Sequence, residues 1–115
     1  MITHKRLVDI TYIASSAGAI FTQPAGKTTY LKLLMLHNTN TTTETVTLYC
    51  VPDNAGSVGT AAVANQTYKL GLAPDETVQI AFGGSGLIFH DTNETLQAVT
   101  TTASKVTVHA YGAQE

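Results

Sequence analysis

Three stretches of the chain alternate apolar and polar residues with a period of two, the pattern of strands that turn one face to a core and the other to water. In ETVTLYCV, Val46, Leu48 and Cys50 share one face, and Thr45, Thr47 and Tyr49 share the other. In ETVQIAF, Val78, Ile80 and Phe82 oppose Thr77, Gln79 and Ala81; in SKVTVHAY, Val106, Val108 and Ala110 oppose Lys105, Thr107, His109 and Tyr111. Between them stand clusters of turn formers: SSAG (15–18), QPAG (23–26), HNTNTTT (37–43), PDNAGSVG (52–59), APDE (73–76), GGSG (83–86) and DTNE (91–94). Proline presets φ, Asx side chains hold a bend and glycine accepts positive φ, so each cluster predicts a turn. The turns recur about every ten residues, and no segment has the length and period of a helix of several turns. The pattern predicts an all-β chain, a two-sheet antiparallel β-sandwich of jelly-roll or immunoglobulin-like type.

The run TYLKLLMLH (29–37) departs from this alternation. As a strand it places Tyr30, Lys32, Leu34 and Leu36 on one face and Leu31, Leu33, Met35 and His37 on the other, so both faces are apolar. A helix competes for the segment, but Gly26 upstream and the Asn/Thr cluster downstream favour a strand. Only one face of a sandwich strand meets the core, so a second apolar face predicts a neighbour, either another subunit or a docking surface. The candidate interface is Leu31, Leu33 and Met35, or the opposite set, with the outward aromatic Tyr49. The predicted organisation is a mobile N-terminal arm over residues 1–10 and one β-sandwich domain over 11–112.

Composition narrows the partners. At 115 residues the chain suits a single core. Charged residues are 12% of it and the net charge is -2, against a usual charged fraction of about 25%, which leaves no basic tract for nucleic acid. Threonine is about one residue in six, and with valine and isoleucine it favours pleated strands. The single cysteine, Cys50, excludes an intrachain disulfide and a thiolate cluster, and its place in the alternation predicts a small buried filler. Asp9, Thr11 and Tyr12 interrupt any secretory h-region, and LKLLML falls far short of the roughly 20 apolar residues of a membrane span. Synthesis in a cytoplasm is the expectation.

No constellation of reactive side chains is legible. His4, His37, His90 and His109 lack metal-ligand spacing, and His90 and Asp91, as neighbours on a strand, point to opposite faces. GGSG lacks the GxSxG frame of a nucleophile elbow. Glu44, Asp53, Asp75, Glu76, Asp91 and Glu94 fall in or beside turns, where exposed carboxylates belong. The expectation is a chain without catalytic, cofactor or metal residues, not an enzyme.

The series LKLLMLHNTNTTTETVTLYCVPDNAGSVGTA, YKLGLAPDETVQI and GLIFHDTNETLQAVTTTASKVTVHAYG resembles small β-sandwich virion proteins of tailed bacteriophages. In that group a strand pair "LxNT…VTLYxVP" precedes "LAPxET", a "Gly-Leu…Asp-Thr-Leu-Gln-Ala" segment and a final "Val-Thr-Val…Gly" strand. The likeness covers residues 27–112; the added Asn93 and Glu94 lengthen the turn inside the "Asp-Thr-Leu" segment. The resemblance implies a capsid decoration or cement protein, commonly a homotrimer, that binds the major capsid protein in the virion. It also leaves open a tail or fibre accessory with a carbohydrate- or receptor-binding role. No catalytic residue comes with it.

Overall fold

A computed structural model describes residues 1–115. Nine strands form: β1 (Thr3–Tyr12), β2 (Gly18–Thr22), β3 (Thr29–Asn38), β4 (Glu44–Val51), β5 (Gln66–Leu72), β6 (Thr77–Ala81), β7 (Leu87–Phe89), β8 (Thr95–Thr100) and β9 (Val106–Gln114). There is no α-helix, only a 3₁₀ turn at Val63–Asn65. The first sheet has the order β1-β9-β3-β6, with β7 also on β3; the second has the order β2-β8-β4-β5. All pairings are antiparallel. The chain is therefore a β-sandwich, and its strand order distinguishes between the two predicted types. The pairs nest: β4 with β5, outside them β3 with β6, then β2 with β8, then β1 with β9. One long antiparallel ribbon wrapped across two sheets in this way is a jelly roll.

The three alternating runs become β4, β6 and β9, with their apolar faces inward. Val46 and Leu48 from β4, Leu34 and Leu36 from β3, and Val106, Val108 and Ala110 from β9 are all within 1% of full burial. Leu72, Leu96 and Phe89 complete the layer between the sheets. Residues 3–10, expected as an arm apart from the sandwich, form most of β1 and pair with β9 from Thr3↔Gln114 onward. They belong to the first sheet because β9 would otherwise leave a row of donors and acceptors unpaired on that side.

β3 is a strand and not a helix, but its faces differ from the simple alternation. Opposite β9, Leu31 pairs with Gly112 and Leu33 with Tyr111, so Lys32 is an extra, bulged residue. A bulge shifts the phase of a strand by one position. Leu31 therefore faces the core before it, and Leu34 and Leu36 face the core after it. The other edge of β3 is shared, with β7 along Thr29–Leu31 and β6 along Leu33–His37. The changeover falls at Lys32, whose carbonyl accepts the Phe82 N–H at 2.9 Å. Glycine is required on both sides of this bulge. A Cβ on Gly112 would fall on the Tyr30 carbonyl oxygen, and one on Gly86 would fall on that of Leu31.

The HNTNTTT segment ties three connections together. Asn38 is fully buried; its amide donates to the carbonyls of Thr42 and Leu72 at 3.0 Å and of Ala73 at 3.2 Å, and its oxygen accepts the Asn40 N–H at 2.9 Å. Glu44, expected among exposed turn acids, is instead 1% exposed. It accepts from the Asn40 amide at 2.9 Å and from the Thr102 N–H at 2.8 Å. Burial alone raises its carboxyl pKa, but these donors, with Lys105 nearby, outweigh it and hold the group below the usual carboxylate range.

Two tests follow from this packing. Gly112→Ala lowers stability by about 3 kcal/mol or more in chemical denaturation, whereas Gly83→Ala, where nothing lies within 4 Å of the added carbon, stays within about 0.5 kcal/mol of wild type. Glu44 has a lowered folded pKa, so it stabilises the fold above its ordinary value of 4.5 and loses that contribution as pH falls through the folded value. Glu44→Gln, compared with wild type in denaturation series across acidic pH, shows a shallower loss of stability below about pH 5.

Candidate interaction face

Each sheet has an inner face against the other and an outer face, and the two outer faces differ. On the outer face of the first sheet, register places Tyr30 beside Ala113 and Ile88, then Leu33 beside Tyr111 and Ala81, then Met35 beside His109 and Gln79, then His37 beside Thr107 and Thr77. No other strand of the chain packs over this face. Ile88 is 46% exposed and Tyr111 38%, while Tyr30, Leu33 and Met35 are half-buried by their neighbours in the sheet alone. The result is a strip of apolar and aromatic side chains crossed by hydroxyls and imidazoles.

Polar contacts along the strip are local. The Tyr30 hydroxyl donates to Glu115 at 2.7 Å, and that hydrogen bond to the neutral phenol, with burial and the carboxylate charge, raises its pKa. His37 Nδ1 lies 2.7 Å from Thr77 Oγ1, and His109 packs edge-on against Tyr111 with ring centres 5.3 Å apart. None of these groups meets an acid and a base in a cleft.

The four residues expected at an interface divide among three environments. Leu33 and Met35 lie on the outer face of the first sheet. Leu31 does not join them: the bulge at Lys32 turns it into the core, where it is 2% exposed. Tyr49 pairs with Gln97 on the second sheet and faces away from the core, on the opposite side of the molecule from Leu33. That opposite face carries its own cover. The segment after β4 folds back so that the Gln97 amide donates to the Gly59 carbonyl at 2.9 Å and the Asn93 amide to that of Gly56 at 3.0 Å. Tyr30, Ile88 and Tyr111 are members of the exposed strip that period-two reading did not assemble, because only the strand order brings β7 and β9 beside β3.

Other candidate chemistry resolves into turns. His90 and Asp91 do meet, with Nδ1 and Oδ1 3.0 Å apart, because the chain leaves β7 in a tight turn with Asn93 at φ 72°. With Glu94 they offer ligand atoms within 4.8 Å of one another. One Glu94 oxygen is already committed, accepting the N–H groups of His90 and Asp91 at 3.0 and 2.7 Å, so the cluster reads as a capped turn. GGSG is the β6–β7 turn, with Gly84 and Gly86 at positive φ. Cys50 is half-buried against the core, and burial raises its thiol pKa, which suits a filler and not a nucleophile.

Compared with protein-family models, with curated proteins and with solved structures, the chain matches none of them.

Proposed function

We propose that this chain is a structural protein of a bacteriophage particle, a decoration or cement protein that acts by binding copies of itself and the major capsid protein. Fold alone does not carry function, since jelly rolls serve capsids and lectins alike. The observation that carries the reading is the uncovered strip of Tyr30, Leu33, Met35, Ile88 and Tyr111 on the first sheet. The likeness of the LKLLMLHNT, LAPDETV and KVTVHAYG segments to phage virion proteins gives that strip a purpose.

Burying such side chains contributes about 1.5–3 kcal/mol each before the cost of ordering the partners. A single contact of that size is weak, and repeated copies around a symmetric shell make it strong. The low charge of the chain suits this role, because association then depends on apolar contact and backbone hydrogen bonding rather than on a steered ionic encounter.

Size-exclusion chromatography with light scattering tests the reading. Wild-type protein self-associates, and Leu33→Asp, on the outer face, weakens association at least about tenfold while circular dichroism stays that of the folded β-sandwich. A wild-type monomer at high concentration, or an assembly that Leu33→Asp leaves intact, would refute the interface.

A further inference from the structure

Three of the four histidines share the outer face of the first sheet. His109 stands opposite the outward Met35, His37 lies between Thr107 and Thr77, and His4 on β1 is opposite Ala113, which in turn is opposite Tyr30. His37 and His109 are half-buried beside Ile10 and Met35 in one depression, and His4 is exposed. The fourth, His90, sits in the β7–β8 turn beside Asp91.

The other side-chain charges of this face balance. Arg6, opposite Tyr111, lies 3.4 Å from Asp9, Lys32 is exposed beside Leu33, and the Glu115 carboxylate accepts from the Tyr30 hydroxyl. Two cations thus meet two carboxylates, and a face so balanced can meet its own copy without net repulsion. Lys5, opposite Gly112, turns to the other side of the sheet. Asp75, Glu76 and Lys105 stand in the turns at the His37 end of β3, and the Met1 amino group lies ahead of His4. No carboxylate comes within 4.0 Å of His4, His37 or His109. The ring contacts are hydroxyls: Thr77 Oγ1 is 2.7 Å from His37 Nδ1, and that of Tyr111 is 3.3 Å from His109 Nδ1.

A neutral imidazole and an imidazolium respond differently to being covered. The neutral ring keeps its hydroxyl contact; the imidazolium under a second copy is a charge without a counter-ion, facing the same charge across the contact. Covering therefore favours the neutral form, so association is strongest above the histidine range and is lost as pH falls through it. Carboxylates and phenols as classes ionise near about pH 4 and about pH 10, outside that range. We propose that this face joins a second copy of the chain only while its imidazoles are neutral, so that the assembly holds at neutral and alkaline pH and comes apart in mild acid. The inference rests on the first sheet's outer face being the self-association surface, and adds its regulation.

The test is sedimentation equilibrium of the full chain at about pH 8 and about pH 5.5, at equal ionic strength. Wild-type self-association weakens at least about tenfold at the lower pH while circular dichroism stays that of the β-sandwich, and added salt restores part of it by screening the repulsion. The triple variant His4→Gln, His37→Gln, His109→Gln associates equally at both pH values, and His90→Gln, off the face, keeps the wild-type response. Should the triple variant unfold, His4→Gln alone, at an exposed edge position, decides by a reduced response. Association indifferent to pH or tighter in acid, a full response in the folded triple variant or in His4→Gln, or a response abolished by His90→Gln would each overturn the proposal. Association that ignores pH but that Leu33→Asp still breaks rejects the switch alone; a wild-type monomer at both pH values rejects the face as an interface.

Discussion

The bulge at Lys32 is the constraint on which the arrangement of this sandwich depends. β3 is the only strand bonded to three others, with β9 along one edge and β6 and β7 in succession along the other. A regular strand would put Leu31 on the opposite side from Leu34 and Leu36, exposing a core leucine or burying Lys32. The extra residue resolves that conflict and opens the gap at which β6 can leave and β7 begin. The absence of side chains at Gly86 and Gly112 lets neighbouring backbones close on the bulge from both sides.

From this one irregularity comes the division of the apolar surface. Leu31, Leu34 and Leu36 enter the interior, and Tyr30, Leu33 and Met35 are set outward in line with Tyr111 and Ile88. The same bulge leaves Lys32 exposed beside Leu33, at the rim of a shallow depression that β1 lines on its other side. The opposite sheet is less open, because the segment anchored at Gln97 and Asn93 shields part of it. The two outer faces are thus unlike, one uncovered and apolar and the other partly closed.

Much of the architecture was legible in the chain. ETVTLYCV, ETVQIAF and SKVTVHAY each show their faces directly, and the Asn, Asp, Pro and Gly clusters mark the turns between strands. What was not legible has physical causes. A bulge shows in the sequence only as a break in alternation, and in TYLKLLMLH that break reads equally as a strand with two apolar faces, which groups Leu31 with Leu33 although their side chains end on opposite sides of the sheet. β1 is an edge strand with two register shifts and only Val8 buried, so residues 1–10 carry too weak an alternation to read as a strand. The burial of Glu44 depends on Asn40 and on the Thr102 amide, the latter 58 positions away in sequence. Alternation sets Tyr49 outward, but it cannot say which of two outward surfaces a strand belongs to.

The nesting of strand pairs also governs the order in which this chain can find its shape. β4 and β5 meet across the shortest of the nested loops, whereas β1 must wait for β9, almost the whole chain later. Closing long loops costs entropy before any pairing returns it, so folds with such distant partners assemble slowly. During that delay β1 is an unmatched ribbon edge carrying Ile2, Leu7, Val8 and Ile10 close by. The charges of Lys5, Arg6 and Asp9 among them act as gatekeepers, making premature pairing between two unfinished chains less favourable than the wait for the correct partner.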